Sequence, residues 1–339
     1  MIFIRADANE KIASGHIMRC SAIAQAFIDK GKNVTFITAD EVGQKMAEGL
    51  GYECIALGTQ WDRMNGEIEK LQKILAQGDA EFFLVDSYFV PEGYFDFFNE
   101  IVKTAYIDDF LDKSLNCDVV INYGISVNKE NYRHLYPHSK MLFGGDYTPL
   151  RKDFQNCSPK LIKKDVSEML VLTGGSDNDH VILNICRALL KRSDRFGGCS
   201  INIVCGRFNR DYDIIFAETS GTDYIRIYKN LDNIKSYMDK ADVCVTAGGT
   251  TTKELASCGT PSITYSIADN QIGGVKELDE LGLMKYIGDV RTVDFTYDNL
   301  IDELIELCSD LERRKRESVL LQKVIDGKGA LRLVEELLK

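Results

Sequence analysis

Short apolar runs rich in β-branched residues alternate with amphipathic stretches along the chain. In the first half the strand-like runs are 2–5, 34–37, 54–57, 82–85, 105–107 and 119–121. Helical periodicity lies between them, as at 17–30 and 66–77. A strand, a helix and a further strand form the repeating unit of an open parallel sheet covered by helices on both faces. The pattern therefore predicts an α/β fold.

The alternation is interrupted once, near the middle of the chain. A glycine-containing segment at 144–149 is followed by a polar, lysine-rich stretch at 152–165. The strand-like runs then resume at 169–172, 201–204, 225–228, 243–245 and 262–265. A charged helical stretch closes the chain at 303–339, where we expect one or two surface helices.

We interpret the interruption as an interdomain linker. This predicts two Rossmann-like domains, an N-terminal one over 1–150 and a C-terminal one over 151–339. Ligands of open α/β sheets bind at the carboxyl ends of the strands, so we expect the two parallel sheets to face a central cleft that holds the ligand.

Composition and charge narrow the class of partner. The 339 residues are 45% apolar and 27% charged, which is typical of a globular protein. The net charge of −11 argues against nucleic acid as a partner. Because charges occur as early as Arg5 and Asp7, and no long uncharged apolar stretch follows, we expect a cytoplasmic protein without a membrane span.

The cysteines and histidines do not form a ligand pattern. Ten cysteines lack any C-x-x-C pair, and four histidines are scattered along the chain. We expect the cysteines to be reduced, mostly buried apolar residues, and we expect no metal site and no cofactor. Magnesium carried by a substrate diphosphate stays open.

A candidate base lies at the start of the first helix. Gly15 precedes His16 where the helix is expected to begin, and glycine permits close backbone approach. The positive end of a helix disfavours a charged imidazolium, so the position favours a neutral histidine that can accept a proton. The alternative is a capping histidine without a chemical role.

Two glycine turns end strands of the second half, at 173–177 and 247–252. Glycine lets the main chain approach an anion, free N–H groups at a helix start point towards it, and hydroxyls add donors. The residues expected to bind a diphosphate are Gly174, Gly175, Ser176, Gly248, Gly249, Thr250 and Thr251. Neither turn fits the P-loop or the dinucleotide motif. A plain strand-to-helix connection is the alternative for each.

Further polar residues follow predicted strands. The Glu254 carboxylate can accept hydrogen bonds from two ribose hydroxyls. The alternative is that it stabilises the helix dipole. Asp269, Asn270 and Gln271 offer hydrogen bonds to a ligand, or they form a capping turn. Polar residues also follow two predicted strands of the first half, and residues in such positions mostly have a structural role. They are Asp86, Ser87, Tyr88, Asp108 and Asp109. The two adjacent aspartates should point apart, unlike a glycosidase carboxylate pair.

Together these segments resemble the UDP-2,4-diacetamido-2,4,6-trideoxy-β-L-altropyranose hydrolases of pseudaminic acid biosynthesis. That family is related to the spore-coat polysaccharide proteins and, more distantly, to MurG-like glycosyltransferases. The segment G-H-I-M-R-C at 15–20 is the most specific part, and the resemblance extends over nearly the whole chain. It implies the GT-B fold.

The resemblance also assigns roles. His16 corresponds to the base that activates water, Tyr88 to a tyrosine near the sugar, and Glu254 to the residue that holds the ribose. The segment 227–230 corresponds to the uracil site. The other residues expected to bind substrate are Arg5, Asp7, Gly15, Arg19, Asn230 and Lys253. Lys253 stands where this family has an asparagine or an aromatic residue; it either pairs with an anionic part of the substrate or lies on the solvent face.

The function implied is hydrolysis of a UDP-linked 2,4-diacetamido-2,4,6-trideoxy sugar at the anomeric C–O bond. Because a diphosphate leaves readily, a single base suffices for inversion and no metal is required. Two alternatives stay open, a GT-B glycosyltransferase that uses a UDP-sugar donor and a non-catalytic nucleotide-sugar binding protein. The first half shows no basic cluster of the kind membrane-associated transferases carry. The sequence leaves the oligomeric state open.

Overall fold

The computed structural model describes residues 1–12, 14–173, 177, 179–206, 209–229, 231 and 233–339. The chain forms two compact units. The first comprises Met1–Lys152 together with Gly327–Lys339, and the second comprises Asp153–Asp326. Each unit is a parallel sheet with helices on its faces, so the predicted α/β class is confirmed.

Seven parallel strands are found in the described part of the first unit. They are β1 (Ile2–Ala6), β2 (Val34–Thr38), β3 (Glu53–Ala56), β4 (Phe82–Asp86), β5 (Lys103–Ile107), β6 (Val119–Asn122) and β7 (Lys140–Phe143). Their order in the sheet is β3-β2-β1-β4-β5-β6-β7. The helices between them are α1 (Gly15–Asp29), α2 (Glu41–Gly49), α3 (Ile68–Gln77) and α4 (Lys129–Leu135).

The second unit repeats the plan, with six parallel strands among its described residues. They are β8 (Glu168–Leu172), β9 (Ser200–Cys205), β10 (Ile225–Lys229), β11 (Val243–Ala247), β12 (Ser262–Ser266) and β13 (Lys285–Asp289). Their order is β10-β9-β8-β11-β12-β13. The helices are α5 (Val181–Lys191), α6 (Tyr212–Thr219), α7 (Ile234–Lys240), α8 (Thr250–Cys258), α9 (Asp269–Glu280), α10 (Tyr297–Ser309) and α11 (Leu311–Val324).

The first sheet is buried on both faces because side chains alternate along each strand. Ile2 and Ile4 of β1 enter one core, which includes Phe27 of α1. Phe3 enters the core on the opposite face with Leu71 of α3. A strand buried on both faces reads as a continuous apolar run, which is why the sequence pattern predicts β1 without ambiguity.

Two strands escaped sequence prediction, and both lie at sheet edges. The edge strand β7 begins with the exposed Lys140. The other edge strand, β13, contains Gly288 and is half-exposed over most of its length. The sequence pattern does predict the edge strands β3 and β10, so an edge position weakens the sequence signal without removing it.

The end of the chain differs from the expected one or two surface helices of the C-terminal domain. The described residues there form the end of α10, then α11, then a last helix, α12 (Gly329–Leu337), which belongs to the first unit. Leu333 and Leu337 of α12 are buried in the core that contains α1. A Cβ on Gly329 would overlap the backbone of Thr148, so glycine permits this close contact. The amphipathic pattern of α12 identifies a helix but not the unit whose core it completes.

In each sheet, the order in which successive strands are added changes from one side of the sheet to the other at one point. In the first sheet this switch point lies between β1 and β4, where Ala6 is in register with Asp86. In the second it lies between β8 and β11, where Leu172 is in register with Thr246. Open α/β sheets bind ligands at the carboxyl ends of the strands that flank such a point. Among the described residues, no helix is both long and apolar enough to cross a membrane.

Candidate active site

His16 and Asp86 form a buried pair at the switch point of the first sheet. His16 is the second residue of α1, and Asp86 is the last residue of β4. His16 Nδ1 lies 2.7 Å from Asp86 Oδ1. An ionised carboxylate only accepts hydrogen bonds, so the proton between them lies on Nδ1 and leaves the Nε2 lone pair available. The pair can therefore act as an oriented general base.

Arg19, one turn after His16, keeps Asp86 ionised. Arg19 Nε donates to Asp86 Oδ2 at 2.5 Å. Burial by itself raises the pKa of Asp86, but the Arg19 charge and the His16 contact outweigh it and hold the pKa well below its usual range. Arg19 also donates to Asp109 Oδ2 at 2.8 Å and to the Tyr123 hydroxyl. Because these partners occupy its guanidinium, the structure gives Arg19 a positioning role in place of the expected substrate contact.

Tyr88, which the family resemblance associates with the sugar, lies beside His16. The ring centroids are 4.5 Å apart in an edge-to-face arrangement. The Tyr88 hydroxyl donates to Asp109 Oδ2 at 3.1 Å. Its neighbour Asp108 instead accepts from the backbone N–H of Phe110 and Leu111. The two aspartates therefore point apart, and only Asp109 joins the His16 cluster.

Arg5 and Asp7 form a separate ion network in the first unit. Arg5 Nη2 donates to Glu67 Oε2 at 2.9 Å, and Arg5 Nη1 donates to Asp7 Oδ2 at 2.5 Å. The second Asp7 oxygen accepts from the Ala39 N–H at 2.7 Å. Arg5 and Glu67 are fully buried, and Asp7 is 4% exposed. The expected substrate contacts of Arg5 and Asp7 are not supported, because internal partners already occupy the charged groups of both side chains.

The glycines of the candidate loops differ in whether the structure leaves room for a side chain at their positions. A Cβ built on Gly15 meets no protein atom within 4 Å. At Gly248 a Cβ would lie 2.8 Å from Val275 Cγ1 and 2.9 Å from Gln271 Cβ. Gly249 has a φ of +109°, which side chains rarely adopt. Packing and backbone conformation therefore explain Gly248 and Gly249, whereas neither requires Gly15.

This contrast gives a stability prediction. Gly15→Ala should leave the free energy of unfolding unchanged or raise it by up to about 1 kcal/mol, since alanine restricts the unfolded chain. Gly248→Ala should lower it by about 1 to 3 kcal/mol, because the added carbon overpacks the contact with α9. Urea unfolding followed by circular dichroism compares the two. Equal stability of the two variants would contradict the packing argument for Gly248. A stable Gly15→Ala protein that binds substrate more weakly would indicate that Gly15 lies against the substrate.

The first glycine turn of the second unit lies largely outside the described residues, as do Gly174, Gly175, Ser176 and Asn230. Asp177 is described, and its carboxylate accepts from the N–H groups of Val181 at 2.8 Å and Ile182 at 2.9 Å. These are first-turn amides of α5. A carboxylate of the same chain therefore occupies two donors that the sequence argument assigned to an anion. Burial raises the pKa of Asp177 against the effect of these hydrogen bonds.

The second turn leads into α8, whose first residue is Thr250. Thr250 is exposed and Thr251 is half-buried. Thr252 Oγ1 donates to the Gly249 carbonyl at 2.8 Å, which closes the turn. The hydroxyls of Thr250 and Thr251 therefore lie at a helix N-terminus where an anion is stabilised.

Lys253 and Glu254 follow within the first turns of α8. They are 8% and 7% exposed, respectively, so the solvent-face alternative for Lys253 is wrong. Burial lowers the pKa of Lys253, while the charge of Glu277 on α9 acts in the opposite direction. A buried ammonium group beside the candidate diphosphate loop suits a nearby anion.

The loop before α9 lies against the loop before α8. Gln271 contacts the position of Gly248, and its Oε1 accepts from the Ile267 N–H at 3.0 Å. Asp269 is paired with Arg291 Nη2 at 2.6 Å, and Asn270 is exposed. The helix is capped at Ala268, so neither Asp269 nor Asn270 provides the capping side chain that the alternative required. Within the second unit the structure therefore places Gln271 against the second glycine turn.

Four contributors were missed or undervalued by sequence reasoning. The sequence pattern treats Asp86 and Asp109 as mostly structural strand ends and assigns no role to Glu67 or Asp177. An acidic residue at the end of the strand next to β1 is a usable signal, since both strands end at the switch point. Glu67 carries no comparable signal, because it lies in a short 3₁₀ helix, Met64–Glu67, between two regular elements.

No protein-family model matches the chain. An uncharacterized protein of Methanocaldococcus jannaschii is 24% identical over 275 residues, which cover 77% of this chain and 54% of that protein. The spore coat polysaccharide biosynthesis protein SpsG of Bacillus subtilis is 23% identical over 217 residues, which cover 64% of this chain and 63% of SpsG. The matched region is therefore about half to two thirds of the length of these relatives.

Solved structures match nearly the whole chain. MurG of Acinetobacter baumannii has a TM-score of 0.69 at 12% identity and covers 99% of both chains. The glycotransferase of kitacinnamycin has a TM-score of 0.70 at 15% identity, with 99% of this chain and 97% of that chain covered. The chain has the GT-B fold. LpCGTa, solved in complex with UDP, has a TM-score of 0.69 at 10% identity and covers 99% of this chain and 97% of that one.

Proposed function

We propose that this GT-B protein hydrolyses a UDP-linked 2,4-diacetamido-2,4,6-trideoxy sugar at the anomeric C–O bond. The products would be UDP and the free sugar, for biosynthesis of a pseudaminic-acid-type nonulosonate. The observation that carries the proposal is the buried His16–Asp86 pair beside Tyr88 at a sheet switch point. That arrangement orients a base where α/β proteins bind ligands.

The chemistry follows from the orientation of the histidine. Nε2 of His16 removes a proton from water as the water oxygen attacks the anomeric carbon. The bond from this carbon to the diphosphate oxygen breaks, and its electron pair leaves with UDP. Asp86 stabilises the imidazolium that forms, as carboxylates do in other histidine dyads. Attack opposite the leaving group inverts the anomeric centre.

The second unit supplies residues suited to the leaving group. Thr250 and Thr251 lie at the N-terminus of α8, where partial positive charge stabilises a departing diphosphate. Glu254 is assigned to the ribose and Lys253 to an anionic part of the substrate. The likeness to SpsG and to a structure solved with UDP supports a nucleotide-sugar substrate.

Aromatic side chains near His16 support a sugar with apolar substituents. Tyr88 packs edge-to-face on Phe110, with centroids 4.7 Å apart, and Phe110 is 50% exposed. The 6-methyl group and the acetamido methyl groups of the proposed sugar present apolar surface that such rings can cover.

A glycosyltransferase is the second candidate function. The glycotransferase of kitacinnamycin has the same fold, and its name denotes transfer of a sugar. In that case an acceptor hydroxyl would replace water as the nucleophile at the same base. The residues assigned to the donor sugar would be the same, so only the nucleophile distinguishes the two reactions.

The test follows UDP release and the anomeric product by NMR, with EDTA present and no acceptor. The expected result is release from the UDP-linked diacetamido sugar but not from UDP-N-acetylglucosamine. In water enriched in ¹⁸O, the label should enter the anomeric hydroxyl of the product. Binding of UDP without release from either sugar would reject the hydrolase proposal and favour a transferase, which would then release UDP only after an acceptor is added.

A further inference from the structure

A pair of cysteines that are distant in sequence meets in the second unit. Cys157 follows the 3₁₀ helix Lys152–Phe154, and Cys258 is the last residue of α8. Their sulfur atoms and a carboxylate oxygen of Asp239, on α7, all lie within 4.8 Å of one another. Within the described part of the chain, this is the one group whose side chains have the mutual spacing of metal ligands.

The two thiols differ in accessibility. Cys157 is half-buried, whereas Cys258 is 3% exposed. Cys157 Sγ lies 3.8 Å from Ser257 Oγ and, in its thiol form, donates to the Phe154 carbonyl at 3.3 Å. An accessible thiol next to a buried one is the arrangement of an attacking and a resolving cysteine.

Positive charge surrounds the pair. Lys235 Nζ donates to Asp239 Oδ2 at 2.5 Å. Lys160 Nζ donates to the Asp239 carbonyl at 2.8 Å and to the Met238 carbonyl at 3.1 Å. Two ammonium groups near two thiols favour a thiolate. They also oppose a divalent cation, and Lys235 already occupies a carboxylate oxygen that a metal would need.

The electrostatics separate the two sulfurs further. The hydrogen bond from Cys258 and the charge of Lys235 lower the pKa of Cys157 to about 6, against burial and the Asp239 charge. The same contact, together with burial and Asp239, raises the pKa of Cys258 far above its usual value. The contact therefore favours the thiolate at Cys157 and the thiol at the buried Cys258.

We propose that Cys157 and Cys258 form a reactive dithiol that undergoes thiol–disulfide exchange with low-molecular-weight disulfides. The Cys157 thiolate attacks one sulfur of the reagent RSSR, a new S–S bond forms, and RS⁻ leaves. Cys258 then loses its proton to solvent and attacks Cys157 Sγ, which expels the second RS⁻. The protein dithiol is oxidised by two electrons, and RSSR is reduced to two RSH after protonation.

The test treats the full-length protein with oxidised glutathione in the presence of EDTA and reads the product by mass spectrometry. The unchanged protein should lose two hydrogens and yield a cross-linked peptide that contains Cys157 and Cys258. Cys258→Ser should stop at a glutathione adduct on Cys157, and Cys157→Ser should react at neither position. Cys199→Ser is the matched control, since Cys199 is half-buried in the same unit; it should behave like the unchanged protein.

The pH dependence gives a second readout. The rate of alkylation of Cys157 by iodoacetamide should rise as pH increases through about 6 and then level off, since the thiolate reacts. Burial raises the pKa of Cys199, so its rate should rise only at much higher pH. Equal rates for the two cysteines at pH 7, or the lack of an intramolecular disulfide, would overturn the proposal. The alkylation is run with and without EDTA. Alkylation of Cys157 that occurs only when EDTA is present would also overturn the proposal, because the site would then be a metal site.

Discussion

Replacing His16 with glutamine is expected to lower the rate constant for UDP release by about 10²- to 10⁴-fold, the usual contribution of a general base. Glutamine can still hydrogen-bond to Asp86, but it has no nitrogen that accepts a proton from water at neutral pH. Affinity for UDP should change little, because the proposed diphosphate and ribose residues lie in the second unit. Kinetics of UDP release and calorimetric titration with UDP measure the two quantities separately.

The same substitution at His138 is the control, since His138 is an exposed histidine of the same unit. It should change the rate by less than about twofold, as expected of a surface substitution away from the site. Asp86→Asn should also reduce the rate strongly, because the amide can donate to Nδ1 and favour the wrong tautomer. If His16→Gln keeps more than a tenth of the rate, His16 is not the base.

Glu67→Gln is expected to lower the free energy of unfolding of the first unit by about 3 to 5 kcal/mol, the cost of breaking a buried ion pair. Glu67 accepts from Arg5 Nε and Nη2 and from the Tyr94 hydroxyl, and both Arg5 and Glu67 are fully buried. The neutral amide leaves the Arg5 charge compensated by Asp7 alone. Trp61 is the chain's only tryptophan and lies in the first unit, so its fluorescence in urea reports this transition.

Glu335→Gln provides the comparison within the same unit. Glu335 pairs with Lys30 at 2.8 Å, but the side chains are 49% and 38% exposed. Exposed ion pairs contribute little, so the urea midpoint should stay close to that of the unchanged protein. A Glu67→Gln midpoint as high as that of Glu335→Gln would show that the buried network does not stabilise the unit.

Sequence reasoning succeeded where a local rule sufficed. Strands buried on both faces, such as β1 and β4, appear as apolar runs, and a polar residue after such a run lies at a carboxyl end of the sheet. The role of Tyr88 near the sugar came instead from the family resemblance. The edge strands β7 and β13 were not found in this way, although the pattern predicts the edge strands β3 and β10.

The roles of individual charged residues depended on partners distant in sequence. The family resemblance assigns Arg5 and Arg19 to substrate binding. Their guanidinium groups are instead occupied by Glu67 and Asp86. Nothing near Arg5 or Arg19 in the chain identifies these partners, since the pairs form only when separate strands and helices pack.

The sequence by itself determined the α/β class, the repeated strand and helix order, and the small set of loops that carry polar residues at strand ends. These features follow from the side-chain period of strands and helices and from turn chemistry, which act over a few residues. Tertiary structure alone decided which unit α12 completes, which amides of α5 Asp177 occupies, and that Cys157 meets Cys258. Each of these depends on contacts between elements far apart in the chain, where burial and charge compensation select the partner.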